Sequence, residues 1–390
     1  MILNQELSAM LVEMKPRYKV FLDKHGRIIV KVQRAQYGLI QSGRLWYEKI
    51  SEMLKANGFV ENMMDKCVLN KYIAGEQTTV VLYVDDLLVT SPTQSELNTV
   101  KDLIIKEFFD IKIKGGEAFT YLGMNVKETK EGLTLSMKHY IQTILDGYGK
   151  ELRTCIMPDE KDLYFIQDDE VPLDDNRKSR FHTVVARLLY LSKRTRSDNA
   201  VAVNFLCTRV LNPIIDDEKK LERVLGYMKN KIRKSRLIDR SKGTEMYIDA
   251  AFSAHPDGKG QSGCVLVFGN TVLEASTRKQ TCATRDSTKA EMVAMGRLVL
   301  DLEWHEECFK HQGYKLQRPL VYQDNTSTIT LVTEGGGKMR NRHMRALQAV
   351  LVDGYQNGDY DVSHISIHKM IADLMTKPLG GFKFHNLVQM

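Results

Sequence analysis

Two adjacent aspartates, Asp85 and Asp86, stand at the centre of Thr78 to Thr90 (TTVVLYVDDLLVT), a run otherwise made mostly of β-branched and aliphatic residues. Such arms around a short polar centre predict a β-hairpin with both carboxylates at its tip. Burying a carboxylate is costly unless a cation or hydrogen-bond donors compensate it. Mg²⁺ would suit, since it takes one or two carboxylates together with phosphate oxygens. In an exposed turn the same pair needs no cation, because Asp suits turn backbone; the residues alone leave both readings open. A second chemically marked stretch is Lys229 to Lys242, where Lys229, Lys231, Arg233, Lys234, Arg236, Arg240 and Lys242 face the single acid Asp239. It reads either as a solvated face and linker or as a surface that follows phosphates, with binding that weakens as salt rises.

The elements around these residues follow from periodicity. Arg27 to Gln33 alternates as a short strand, and Leu45, Trp46, Ile50, Met53 and Leu54 recur at helical spacing up to a stop at Asn57-Gly58. Ser95 to Phe109 predicts a helix, then Phe119 to Val126 and Leu133 to Met137 a strand pair with Glu131-Gly132 in its turn. Met157 to Arg180, with Pro158, Pro172 and many acids, reads as a surface loop or linker. Phe181 to Lys231 is mainly helical. From Glu245 the pattern runs strand (Glu245 to Ser253), strand pair (Gly263 to Phe268, Thr271 to Thr277), helix (Thr288 to Gln312), strand (Leu320 to Gln323), helix and C-terminal helix, which suggests a mixed α/β domain.

Over 390 residues, 43% hydrophobic and 27% charged, the chain has the composition of a globular protein of two or three domains, and collagen-like or wholly disordered readings are excluded. No apolar run reaches the roughly 18 residues of a membrane span, and Met1 to Glu6 lacks a secretory pattern; an intracellular protein with no membrane partner is expected. The six widely spaced cysteines include no C-x-x-C pair, so they read as ordinary buried thiols. A net charge of +7 permits a polyanionic partner without demanding one.

Tyr83-Val84-Asp85-Asp86 resembles the Y-x-D-D box of reverse transcriptases, and four further segments resemble boxes of the copia-type retrotransposon Pol polyproteins, in the family's order. These are Ala35 to Lys49 (AQYGLIQSGRLWYEK), Tyr121 to Met124 (YLGM), Thr195 to Asp198 with Ala202 to Asn204 (TRSD…AVN), and Ala372 to Leu379 (ADLMTKPL). The resemblance covers essentially the whole chain. It implies an α+β protein in which a partial reverse-transcriptase palm (1–156) precedes a linker with a helical thumb or connection region (157–242) and a ribonuclease H-like mixed α/β domain (243–390).

In that family the ribonuclease H domain joins four acids around two metal ions, and the matching positions here are Asp249, Glu291, Asp324 and Asp373. The resemblance makes these, with Asp85 and Asp86, the metal-binding and catalytic residues, with Mg²⁺ or Mn²⁺ as cofactor. It makes an RNA–DNA hybrid the partner, and Gln41, Ser42 and Arg44 would contact template or nucleotide only if upstream residues completed the polymerase half; Lys229, Lys231, Arg233 and Lys234 belong to the phosphate-following surface read above from charge. Singly, each nuclease acid also has a structural reading: Glu291 in a capping box with Thr288, Asp324 as an N-cap, Asp373 complementing a helix dipole. His343 matches a family histidine, and His364 and His368 precede Asp373 where a mobile histidine could assist product release.

The first palm aspartate and the fingers of the family would lie upstream of Met1, so polymerase activity is not expected of this chain alone. The expected activity is metal-dependent hydrolysis of RNA in RNA–DNA hybrids. The alternatives are a catalytically silent nucleic-acid-binding remnant and a structural companion of a complete Pol chain. The family's setting would be the cytoplasm, in a virus-like particle, or the nucleus.

Overall fold

The computed structural model describes residues 1–33, 38–73, 75–109, 111–166, 171–232, 236–238, 243–335, 339 and 341–390. The chain is α+β and divides into two compact units, Met1–Phe109 and Asp110–Met390.

In the first unit, Asn4 caps helix α1 (Gln5–Met14) by accepting the Leu7 N–H at 2.8 Å. The expected strand at 27–33 forms only isolated bridges, Leu22 to Ile28 and Ile2 to Ile29, because no neighbouring strand runs alongside it. Helix α2 (Ile40–Ala56) ends where Gly58 takes a left-handed φ of 86°, as its stop signal predicts. An antiparallel sheet follows in the order β1 (Val60–Glu61), β2 (Val68–Ile73), β3 (Glu76–Tyr83), β4 (Asp86–Thr90), then helix α3 (Gln94–Phe108). In β3 the period-two pattern sends Thr78, Val80 and Leu82 inward, in a unit whose core includes Ile50, Leu54, Leu69, Val100 and Ile104.

The second unit opens with β5 (Ala118–Tyr121), β6 (Met124–Glu128) and β7 (Leu133–Ser136). What reads as one strand from Phe119 to Val126 is itself a hairpin, because Leu122 and Gly123 both take positive φ (48° and 74°) and reverse the chain. The fourth strand of this antiparallel sheet, β8 (Arg236–Ile238), comes from the basic stretch and pairs with β7. Helices α4 (Lys138–Tyr148), α5 (Asp175–Ser192), α6 (Ala200–Arg209) and α7 (Ile215–Asn230) pack around Ile141, Tyr148, Phe181, Leu188, Phe205 and Leu225.

The segment read as a surface linker is partly interior: Asp159, Leu163 and Tyr164 are buried. Its acids mask two large hydrophobic side chains that join the helical core. The cysteines also differ from expectation, since Cys264 is buried but Cys282 is exposed.

The remaining sheet is mixed, ordered β11 (Thr271–Ala283), β10 (Lys259–Phe268), β9 (Thr244–Ala251), β12 (Leu320–Gln323), β13 (Asp361–His364). The pairs β9–β10 and β10–β11 are antiparallel, whereas β12 runs parallel to both β9 and β13. Met246, Ile248 and Ala250 of β9 point into one core with Met292, Met295 and Leu298 of α8 (Ser287–His311). Helices α9 (Thr326–Thr333) and α10 (Arg342–Asn357) lie between β12 and β13 in sequence. Strand β13, four residues long, escaped the sequence reading.

The chain closes with a 3-10 turn, Ile371–Met375, and helix α11 (Gly381–Gln389), whose Phe384 and Leu387 enter the core built by α4 to α7.

Candidate metal centre

Four segments meet at one end of the mixed sheet. Asp249 lies in β9, paired across the ladder with Gly263 of β10. Because side chains alternate across a strand, Asp249 faces away from the α8 core, towards the 3-10 turn at 371–375. That turn can approach only because residue 263 is glycine: a Cβ there would lie 2.6 Å from both Met375 Cβ and Thr376 Cγ2. Glu291 is in the second turn of α8. The cap of that helix is Asp286, which accepts the Lys289 N–H at 2.9 Å, so the capping-box reading of Glu291 does not hold. Asp324 directly follows β12, and Asn325, not Asp324, caps α9. Asp373 sits in the 3-10 turn, not at the start of the last helix, which begins at Gly381.

Asp249, Glu291 and Asp324 each offer a carboxylate oxygen within 4.8 Å of the others. Asp249 and Glu291 are buried and Asp324 is half-buried. Burial, the largest influence, pushes the Asp249 carboxyl above the usual range against the pull of Lys377. Glu291 is driven well above it by burial and then by the charges of Asp249 and Asp324. Asp324 is raised for the same first reason.

The buried Asp373 joins the group through Lys377, whose ammonium donates to Asp373 Oδ1 at 2.7 Å and to Asp249 Oδ1 at 3.1 Å. Burial works against that ammonium, but Asp249 and Asp373 outweigh it and hold it charged beyond the ordinary lysine range. Lys383 also donates to Asp373, and the Thr376 hydroxyl to Asp249.

With all four carboxyls ionised, they share two ammonium groups and leave an excess of two negative charges in a mostly buried site. That is the charge a divalent ion supplies, and hard oxygen donors are what Mg²⁺ or Mn²⁺ accepts. The donor set therefore fits such an ion.

Several supporting groups were not singled out from sequence. Gln323, wholly buried, donates to Glu291 Oε2 at 3.3 Å while its Oε1 accepts the N–H groups of Asp324 (2.8 Å) and Asn325 (3.0 Å), fixing two acids through one side chain. Behind Thr376, its carbonyl accepts from the Tyr164 hydroxyl at 3.0 Å, and the Tyr164 ring lies 4.6 Å from that of His255. His255 pairs with Gln261, which reaches Asn204 Oδ1 at 3.0 Å. Asn204 belongs to one recognised box and Thr376 to another, so the boxes meet in space. A signal for Gln323 existed only in its place next to Asp324, and for Thr376 only in its place within the last box.

Arg196 and Asp198, from the TRSD box, have a structural role. Arg196 is fully buried, forms a two-pronged pair with Asp198 at 3.0 Å per contact, and binds the Lys231 carbonyl; Tyr227 donates to Asp198 at 2.5 Å. His343, His364 and His368 are exposed, and the Asn341 side chain accepts the His343 backbone N–H.

In the first unit, Asp85 and Asp86 occupy the tip of the β3–β4 hairpin, as expected, but both are exposed, so the desolvation cost that would demand a cation is not incurred. Val84, a β-branched residue at φ 56°, holds a strained left-handed turn, and its carbonyl accepts from Trp46 Nε1 at 2.5 Å. Gln41, Ser42 and Arg44 lie at the start of α2, where Arg44 is highly exposed and bonds Glu48 at 2.6 Å. Lys229 is tied to the Leu152 carbonyl at 3.0 Å, and Lys231 is exposed. Arg233 and Lys234 lie outside the described residues. Among the described residues, no helix is long and apolar enough to cross a membrane.

Residues 2–160 match the family model described as "Reverse transcriptase (RNA-dependent DNA polymerase)". Over 94% of its length the chain is 27% identical to the Retrovirus-related Pol polyprotein from transposon RE1 of Arabidopsis thaliana. Over 96% it is 24% identical to that from transposon TNT 1-94 of Nicotiana tabacum. This chain is similar to the Pol polyproteins of copia-type retrotransposons. It spans about a quarter of the length of these relatives (25% and 28%). Among solved structures, LC11-RNase H1 from compost is 20% identical, covering 35% of this chain and 93% of its own, with a TM-score of 0.29. A foamy viral protease-reverse transcriptase in complex with ds DNA is 13% identical, covering 88% and 54%, with a TM-score of 0.25.

Proposed function

We propose that the second unit of this chain is a metal-dependent ribonuclease H that hydrolyses the RNA strand of an RNA–DNA hybrid, with Asp249, Glu291, Asp324 and Asp373 as ligands for Mg²⁺ or Mn²⁺. The observation that carries this reading is the convergence of Asp249, Glu291 and Asp324 within 4.8 Å, at a site where two lysines face four carboxyl groups. When bound, divalent ions activate water and stabilise the leaving oxygen. Gln323 holds Glu291 and the backbone of Asp324 at a fixed spacing. Thr376 orients Asp249, and the close contact at Gly263 keeps that turn on the sheet. The hybrid would be held through backbone and shape, as an A-form-like duplex is.

A catalytically silent hybrid-binding protein is the second reading, favoured by one observation: Lys377 already occupies oxygens of two of the acids. Nucleotide incorporation at Asp85 and Asp86 is not proposed, since among the described residues no third His, Cys, Asp or Glu groups with them at ligand spacing. The test is cleavage of a labelled RNA–DNA hybrid with Mg²⁺ or Mn²⁺, using Asp324→Asn as control. Cleavage that the substitution abolishes supports the nuclease. Folded protein that binds hybrid in a salt-sensitive manner but never cuts it supports the silent reading.

A further inference from the structure

The acidic site carries its own cation. Lys377 Nζ lies 3.1 Å from both oxygens of Asp249 and 2.7 Å from Asp373 Oδ1. Its charge also acts on Asp324 and Glu291. The Thr376 hydroxyl takes Asp249 Oδ2 as well, so Asp249 has no oxygen left unshared for an incoming ion. Lys377 nevertheless has a way out. Its side chain is 39% exposed, in contrast to 1% and 2% for the two acids it bridges, so its flexible four-carbon stem sits at the rim of the site.

We propose that Lys377 is the resident counter-ion of the metal-free site and leaves it when a divalent ion binds, so that this residue sets the affinity of the site for metal. The inference rests on the metal reading above. Two cations cannot share the same Asp249 oxygens without strong mutual repulsion, and the excess charge favours a divalent ion over a single ammonium. Expelling the ammonium costs its contacts with Asp249 and Asp373, and that cost subtracts directly from metal affinity.

The experiment uses the full chain, stripped with chelator, and Mn²⁺ alone as probe. Mn²⁺-dependent thermal stabilisation is titrated for the wild type, Lys377→Met and Asp324→Asn. Lysine acylation is followed by mass spectrometry with and without Mn²⁺. The expected results are a half-saturation about tenfold lower in Lys377→Met, and Lys377 acylation in the wild type about fivefold faster when Mn²⁺ is present, against unchanged surface lysines. An equal or higher half-saturation in Lys377→Met, or Lys377 acylation that Mn²⁺ leaves unchanged, overturns the proposal while the metal reading stands. If Lys377→Met does not fold, the acylation of wild-type protein decides. Absence of any Mn²⁺ stabilisation that Asp324→Asn removes overturns the metal reading, and this proposal with it.

Discussion

The hairpin at Asp85-Asp86 and the cluster around Asp249 use the same functional group in opposite solvation. At the hairpin tip both carboxylates are in water, and their neighbour Val84 carries the strain in its backbone. In the second unit the acids are mostly buried, and the strain is electrostatic, relieved in part by Lys377 and Lys383. A carboxylate pair in water can wait for its ligand at little cost. A buried group must be neutralised at all times, by protons, ammonium groups or a metal.

The contrast can be broken most sharply at Asp324. Asp324→Asn should lower hybrid cleavage by about a thousandfold, roughly the loss of 4 kcal/mol of transition-state stabilisation, while Asp85→Asn leaves cleavage unchanged; single-turnover assays of both variants check this. Next in size is Arg196→Met, which removes the guanidinium that compensates the buried Asp198 charge and should cost about 3–5 kcal/mol in urea unfolding. Gly263→Ala should cost about 1–3 kcal/mol by forcing the 371–375 turn off the sheet, and should weaken Mn²⁺ stabilisation in the same preparation.

Glu218 tests whether a buried acid with full compensation behaves oppositely to the cluster. Burial alone would raise its pKa, but Arg177 at 2.5 Å, with Lys150 and Arg180 at 3.2 Å each, holds it down to about 2, below the ordinary 4.5. A depressed carboxyl stabilises the fold above the unfolded value and loses that contribution as pH falls from about 4.5 towards 2. Glu218→Gln should remove about 2 kcal/mol of stability at neutral pH and flatten the acid limb of the stability–pH curve. The smallest effect is expected at Asp85→Asn, within about 0.5 kcal/mol of wild type in thermal unfolding.

The long regular elements were legible because each shows its period over several turns or pleats. The β3–β4 hairpin, α3 and α8 lie within a residue or two of their expected bounds. Short or covered elements were not. Four residues at β13 cannot establish a period, and Leu122-Gly123 disguised a hairpin because leucine seldom takes a positive φ. The interior position of Leu163 and Tyr164 was hidden by neighbouring acids. Asp249, Glu291, Asp324 and Asp373 were grouped only by the family resemblance, since nothing in the spacing of residues from 249 to 373 says that they meet. Thr376 and Lys377 stood inside the last box and Gln323 beside Asp324, yet their roles depend on partners up to 212 residues away.

Helix α11 has a consequence for how the molecule comes apart. Phe384 and Leu387, with Leu379 before them, complete a hydrophobic core otherwise built from residues 137–228, and the chain joining them to the mixed sheet carries Asp373, Thr376 and Lys377. Residues 379–387 therefore act as a clasp: the helical middle region is finished only when this segment threads back to it. Without residues 377–387 the bundle's apolar seam stays open and the acids lose their ammonium groups. The two parts should then melt as one cooperative transition, and a protease cut that releases α11 should lower the melting temperature of the whole second unit.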